Sequence, residues 1–263
     1  MNPLRLARRA VYRLLSLVPG TQALLGVSGQ HRVITRGEAL NARCEGWLDG
    51  LTARRQEAAY NDLMARMHRG DVRIDLDVAV RGVRESGVEN PRILEVGCGN
   101  GYYAEVFETL LQRPFTYVGT DYSAAMIETA RTRYPGGEFA VANACDLQFA
   151  DDSFDIVFNG VSLMHILDFE TAIRESARVA GSHCLYHSVP VFDDRDTTYL
   201  RKYAYGAPVV EVVFNRDHLL DLFAQAGLTL VHAWKSVDYD VHPATPEHSH
   251  TETFLLKAGS STM

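Results

Sequence analysis

Residues Ile93, Leu94, Glu95, Val96, Gly97, Cys98, Gly99, Asn100 and Gly101 form an apolar strand running into a loop with glycine at every second position. Glycine lacks a Cβ and accepts positive φ, so a ligand can lie directly on the main chain at such a turn. The helix expected from about Tyr102 to Leu111 would aim its unpaired N–H groups and the positive end of its dipole at the same place. Strand, glycine turn and helix N-terminus together describe a nucleotide-type pocket. The dinucleotide fingerprint G-x-G-x-x-G would have its third glycine where this chain has Tyr102. The pattern here is instead E-x-G-x-G-x-G, with Glu95, Gly97, Gly99 and Gly101. Taken alone, it also reads as a strand-to-helix turn without a ligand.

Two further segments continue the theme. Residues 115–121 make a second short strand ending in Asp121, 22 residues after Gly99. That is close to the offset of about 20 residues at which an acidic side chain meets ribose hydroxyls in Rossmann-like sheets. A carboxylate accepts two hydrogen bonds from a vicinal diol, although Asp121 is equally suited to cap the helix that begins near Ser123. A third strand at 139–142 leads through Asn143, Ala144, Cys145, Asp146, Leu147 and Gln148 to a fourth at 154–158, whose carboxyl end releases Asn159, Gly160 and His165. Ligands of open α/β sheets bind outside the carboxyl ends of the strands, so these residues face the expected pocket.

The Glu95–Gly101 motif, Asp121 and the run from Phe139 to Phe158 resemble the class I S-adenosylmethionine-dependent methyltransferases. The resemblance covers about residues 92–180. It implies a Rossmann-like, doubly wound, mostly parallel seven-stranded α/β sheet with an antiparallel C-terminal hairpin and an N-terminal helical cap. It implies S-adenosyl-L-methionine as cofactor, held by Glu95, Gly97, Gly99, Gly101, Tyr102, Asp121, Tyr122, Met126, Asn143, Ala144, Cys145, Asn159 and Gly160. Asp121 matches the family's ribose-binding acid. The family carries an acid for the adenine amine where this chain has Asn143, and a proline where it has Gln148. An amide oxygen still accepts from an amine, and Asp146 is an alternative acceptor.

The elements that must position these groups follow from pattern. Residues 36–87 are helix-favouring and predict two or three helices before the first strand; in the family such caps close the cofactor cleft, with Tyr60 or Arg66 within reach. Residues 168–179 predict a helix and 183–189 a strand ending at the same rim as His165, which makes His187 a second rim histidine. Histidine titrates near neutral pH, so His165 and His187 are the candidate general bases for a hydroxyl acceptor. A polar and aromatic excursion around 190–213 carries Tyr199, Arg201, Tyr203 and Tyr205, the candidate substrate-binding residues. Asn215 and Gly227 bound the next helix, and Leu228–Val237 with Thr253–Lys257 make the closing hairpin. The division expected is a helical extension and cap over 1–88 and a methyltransferase core over 89–263.

Composition bounds the rest. The 263 residues, 46% hydrophobic and 22% charged, suit one enlarged globular domain, and a net charge of −7 argues against nucleic acid as a partner. Cys44, Cys98, Cys145 and Cys184 show no metal spacing and read as free thiols of a reducing cytoplasm. His242, His248 and His250 lie near Glu247 in a loop without helical pairing, so no metal is expected there. Residues 3–18 form a basic amphipathic helix with Arg5, Arg8, Arg9 and Arg13, suited to peripheral contact with an anionic membrane face or to packing on the protein. No motif bears on oligomeric state. The function expected is methyl transfer to a small-molecule hydroxyl, with a glycan or glycolipid sugar as one acceptor class. N- or C-methylation of a metabolite and a non-catalytic cofactor-binding module are the alternatives.

Overall fold

The computed structural model describes residues 29–42, 45–241 and 244–259. The basic segment at 3–18, Cys44 and His242 lie outside the described residues. A parallel-dominated sheet forms the centre, built from β2 (Arg92–Val96), β3 (Thr116–Asp121), β4 (Glu138–Val141), β5 (Phe154–Gly160) and β6 (Ala180–Phe192). Across the sheet the order is β4-β3-β2-β5-β6, all parallel, followed by β10 (Ser249–Ala258) and β9 (Leu228–Asp238), with β10 antiparallel to both of its neighbours. The parallel-dominated α/β sheet and the antiparallel closing hairpin are those expected from the sequence, but with three further strands the whole sheet has ten strands among the described residues, not seven. Central residues of the parallel strands, Leu94, Val118, Val157 and Cys184, are almost fully buried, as strands covered on both faces require.

Helices cover the two faces: α3 (Ile74–Glu85), α4 (Tyr102–Leu110), α5 (Ala124–Arg133), α6 (Phe169–Val179) and α7 (Arg216–Gln225). Three of them, α5, α6 and α7, begin on a side-chain cap. Ser123 caps α5 by accepting from the Met126 amide, and Asn215 caps α7 by accepting from His218. Gly227, at φ +79°, turns the chain out of α7.

Two features depart from expectation. The 190–213 excursion is a β-hairpin rather than a loop: β7 (Thr198–Ala204) pairs antiparallel with β8 (Ala207–Asn215), and β1 (Gly29–Ile34) adds to the outer edge of β7. These strands join the main sheet through the far end of β6, where Val191 and Phe192 pair parallel with Phe214 and Asn215. The transfer occurs at a bulge. Ser188 has φ +57°, its amide donates to Thr253 Oγ1 at 3.2 Å, and the β6–β10 register slips there.

The second departure concerns the N-terminal segment. After a short helix α1 (Arg36–Asn41), the long helix α2 (Gly50–His68) packs Leu63, Met64 and Met67 against Tyr102 and Tyr103 and runs over the carboxyl ends of the strands, as a cap does. The next helix, α3, is a layer helix of the core. Leu76, Ala79, Val80 and Val83 pack with Leu185 and Leu255, and a Cβ on Gly82 would stand 2.6 Å from Leu185 Cδ1. With β1 also paired to β7, the packing does not follow a boundary at 88/89.

Candidate active site

Two hydrogen bonds to β3 fix the glycine turn after β2. The amides of Gly97 and Cys98 both donate to Thr120 O, at 2.7 and 2.8 Å, so β3 holds the turn in place. Gly97 has φ +77° and Gly99 φ +55°, left-handed values that an L side chain adopts at a cost. Space also excludes a side chain: a Cβ on Gly97 would lie 2.4 Å from Ser162 Cβ, and one on Gly99 2.9 Å from Gln56 Oε1. Gly101 is a packing residue, because a Cβ there would meet the Phe139 ring at 2.6 Å. It lets α4 approach β4 and does not itself face the pocket.

Asp121 locks the same turn from the end of β3. Its Oδ2 accepts from the Gly99 amide and its Oδ1 from the Ser123 amide, each at 2.9 Å. The helix cap that the sequence allowed for Asp121 is Ser123. A carboxylate has roughly four lone-pair sites, so two remain for further donors. Burial pushes the Asp121 pKa up against the pull of the two amides, and hydroxyl donors from a ligand would favour its charged form.

The turn and Asp121 open onto a cavity of about 700 Å³. Gly97, Gly99, Tyr102, Asp121, Tyr122, Met126, Asn143, Ala144 and Gly160 all line it, and so do His165 and Tyr205. Glu95, Cys145 and Asn159 do not reach the wall. The Glu95 carboxyl lies one layer behind, hydrogen-bonded by the Tyr117 hydroxyl, and burial drives its pKa well above the ordinary carboxylate value. Gly160 leaves room for it, since a Cβ there would come within 2.7 Å of Glu95 Oε1. Asn159 points away and donates to Ser176 Oγ on α6 at 3.4 Å. The Cys145 amide donates to Asn143 Oδ1 at 3.0 Å, so the Asn143 side chain first shapes its own turn.

Of the two candidate bases, His165 lies in the cavity wall and His187 does not. The His165 ring nitrogen Nδ1 lies 3.1 Å from Val210 O. A carbonyl only accepts, so Nδ1 carries the proton and Nε2 keeps its lone pair. The Trp47 ring lies edge-on to the imidazole, 4.9 Å between centroids. Burial, with the Lys202 charge, pulls the His165 pKa down to about 3. His165 is therefore a neutral hydrogen-bond acceptor at physiological pH and too weak a base to hold a proton there. This corrects the expectation of a base titrating near neutrality.

His187 is a correction of position. The strand does not end at Val189 but runs on to Phe192, so His187 sits inside the sheet, fully buried between the Tyr103 and Phe158 rings. Its Nδ1 meets Thr253 Oγ1 at 2.9 Å, and burial lowers its pKa to about 4. Below the ordinary histidine value of about 6.5 the unfolded chain takes up this proton and the folded one does not, so stability falls with pH between about 6.5 and 4. At pH 5 that difference amounts to about 2 kcal/mol. His187→Gln is expected to flatten the fall in stability between pH 7 and pH 5 by this amount. Equal pH slopes for the two proteins in thermal melts would disprove the assignment.

The candidate substrate residues divide by strand alternation. Lys202 and Ala204 of β7, with Tyr205 after it, line the cavity, whereas Tyr199, Arg201 and Tyr203 lie on the opposite face; Tyr199 is buried in the core and Arg201 is exposed. Of the four, only Tyr205 reaches the cavity. The wall also contains Trp47, Gln56, Tyr60, Lys202, Glu211 and Tyr239. Tyr60 was within reach on sequence grounds and stacks on Tyr102 with centroids 4.1 Å apart. Arg66 instead pairs with Asp71 at 2.7 Å on the surface. Lys202 and Glu211 would have been visible had 198–215 been read as two alternating strands.

Among the described residues no group of His, Cys, Asp or Glu is placed to hold a metal ion. His250 is buried against Glu252 at 3.2 Å, and His248 lies 3.3 Å from Asp238. No helix among them is long and apolar enough to cross a membrane.

Comparison with known proteins bears on the pocket directly. Residues 94–184 match the family described as a methyltransferase domain. This chain carries a class I S-adenosylmethionine-dependent methyltransferase domain. It is 32% identical over 161 residues to the O-methyltransferase cnsE of Penicillium expansum, covering 57% of this chain and 56% of that protein. It is 39% identical over 110 residues to a fatty-acid O-methyltransferase of Mycolicibacterium smegmatis, covering 39% and 38%. The chain thus spans little more than half of the first relative and well under half of the second. The methyltransferase domain superposes on a methyltransferase structure from Methanosarcina mazei with a TM-score of 0.53 at 18% identity, over 68% of this chain and 97% of that one. That likeness shows the fold.

The cofactor of the methyltransferase domain is S-adenosylmethionine, and the residues present suit it. The bare turn at Gly97 and Gly99 can take a ligand against the main chain. Asp121 keeps lone pairs for the ribose diol. Gln56 Oε1, beside Gly99, is buried without a partner and can accept from the cofactor's ammonium group.

Proposed function

We propose that the protein transfers a methyl group from S-adenosylmethionine to the hydroxyl oxygen of a compact, largely apolar or aromatic small molecule. The observation that carries this reading is the shared cavity: the glycine turn and Asp121 open onto the same space as Trp47, Tyr60, Tyr205, Met164 and His165. When bound, the cofactor supplies an activated methyl on sulfur, whose bond breaks with its electron pair staying on sulfur as the new O–CH₃ bond forms. The protein's contribution is alignment and exclusion of water. His165 Nε2 accepts the hydrogen bond of the acceptor hydroxyl and aims an oxygen lone pair, while the proton passes on to solvent. Trp47 holds the imidazole edge-on, and Val210 O fixes its tautomer. O-methyltransferases among the relatives support oxygen as the receiving atom. A sugar acceptor rested on Tyr199, Arg201, Tyr203 and Tyr205, and with only Tyr205 in the wall the aromatic lining favours an apolar carrier instead.

Incubation of the full chain with S-adenosylmethionine and matched panels of phenols, alcohols and amines, read by mass spectrometry, tests this. Gain of one CH₂ by hydroxyl compounds is the expected result, and methylation of amines alone would overturn it. With the best acceptor, His165→Ala is expected to lower kcat about 30-fold, in line with loss of one orienting hydrogen bond of about 2 kcal/mol. His165→Gln should recover part of the loss and keep the wild-type pH profile between pH 5.5 and 7.5. A wild-type rise with an apparent pKa near the ordinary histidine value of about 6.5 that disappears in His165→Gln would make His165 a base after all.

A further inference from the structure

Within that cavity the only fully buried carboxylate in the wall, among the described residues, is Glu211, whose side chain is 0% exposed. It lies diagonally across the β7–β8 ladder from Lys202, since Lys202 pairs with Val209 and Leu200 with Glu211. Lys202 and Glu211 form an ion pair, the Tyr239 hydroxyl donates to Glu211 Oε1, and Lys202 Nζ donates to the same hydroxyl at 3.1 Å. All three side chains line the cavity that contains the glycine turn and His165. His165 is bonded to Val210, the residue before Glu211, so the cluster adjoins the point where the acceptor oxygen is held.

Stability does not explain such a pair. Buried ion pairs are often replaceable by apolar residues without loss, because desolvation offsets the attraction. What the pair does accomplish is to set the charge of the wall. The lysine charge is cancelled by Glu211, yet N–H donors and carboxylate lone pairs remain available at the cavity surface. An acceptor hydroxyl whose one proton is donated to His165 can still accept from Lys202 and brings no charge to the wall. A carboxylate placed there would find the lysine already neutralised and would lie beside a second buried negative charge.

We propose that Lys202, Glu211 and Tyr239 form the acceptor-selecting element of this cavity, admitting uncharged hydroxyl compounds and rejecting carboxylic acids. The inference deepens the methyl-transfer reading and rests on it. It also separates this chain from its carboxylate-directed relative, whose name specifies a fatty-acid acceptor.

The test uses two probes with one ring system, 2-naphthol and 2-naphthoate. At about pH 7 the phenolic group is neutral and the carboxyl ionised. Binding to the full chain saturated with S-adenosylhomocysteine is followed by calorimetry and by quenching of Trp47, one of two tryptophans. The wild type is expected to bind 2-naphthol at least about tenfold more tightly than 2-naphthoate, a difference of about 1.4 kcal/mol. Glu211→Gln keeps the Tyr239 contact but uncovers the lysine charge, and should reverse the preference to favour 2-naphthoate about tenfold. Lys202→Met should lower 2-naphthoate binding below detection, which keeps the proposal testable if the first variant folds poorly. A wild-type preference for 2-naphthoate, binding of neither probe, or a ratio unchanged within twofold in Glu211→Gln overturns the selection role. Binding of S-adenosylhomocysteine, titrated first on the same samples, separates the two readings: if it binds and selection fails, only this inference falls. If it does not bind, the methyltransferase reading falls first.

Discussion

Asp121→Ala is expected to weaken S-adenosylmethionine binding about 100-fold. The carboxylate keeps lone pairs for two ribose hydroxyls while its other two accept from the Gly99 and Ser123 amides at 2.9 Å. Hydrogen bonds to a charged group contribute about 1.5–3 kcal/mol each, and about 2.7 kcal/mol corresponds to 100-fold in Kd. The variant also leaves the part-buried Gly99 amide and the buried Ser123 amide without partners, so a stability loss of about 2 kcal/mol should accompany the affinity loss. Calorimetric titration at a temperature where circular dichroism shows the variant folded separates the two effects. A Kd within threefold of wild type in folded protein would remove Asp121 from the cofactor site.

Gly97→Ala should have the largest effect on the fold. An alanine at φ +77° costs about 1–2 kcal/mol from the left-handed backbone alone. Its Cβ would also stand 2.4 Å from Ser162 Cβ, forcing apart the contact in which Ser162 Oγ donates to Val96 O at 2.6 Å. We expect a total of about 3 kcal/mol, a fall in Tm of roughly 8 °C for a chain of this size, and cofactor affinity reduced at least about 30-fold because the turn itself is displaced. Adding Ser162→Gly should recover the steric share and leave the backbone share, so the double variant melts between Gly97→Ala and wild type. If Gly97→Ala melts within 2 °C of wild type, the turn is not built as described.

The cofactor half of the site was legible in the sequence because its chemistry is local. Glycine spacing, the acid at the end of the next strand and the small residues after the third all lie on consecutive strand ends, and parallel strands of one sheet deliver their carboxyl ends to one edge. Nine of the residues so identified do line the cavity. The residues that missed it, Glu95, Gly101, Cys145 and Asn159, belong to the same segments but support the wall from behind. Consecutive strand residues point to opposite faces, and a motif does not say which face is the pocket.

The acceptor half was not legible, because long-range packing assembles it. Trp47, Gln56 and Tyr60 come from the 3-10 turn Gly46–Leu48 and from α2, and nothing in their spacing says that this helix lies over the sheet edge. Lys202, Glu211 and Tyr239 come from β7, β8 and the end of β9. The polar, aromatic composition of 190–213 suggested a loop, while the alternation that makes it a hairpin is stabilised only by pairing with β1 and the far end of β6.

By itself, then, the sequence determined the parallel-dominated methyltransferase sheet, the glycine turn and the acid beside it, since each depends on backbone geometry and neighbours within one or two strands. Tertiary structure alone decided that His187 is a core residue and His165 a neutral wall residue. It likewise decided that a lysine–glutamate pair lines the cavity. Burial and the charges brought in from distant strands set those properties, and neither is encoded in a residue's own surroundings along the chain.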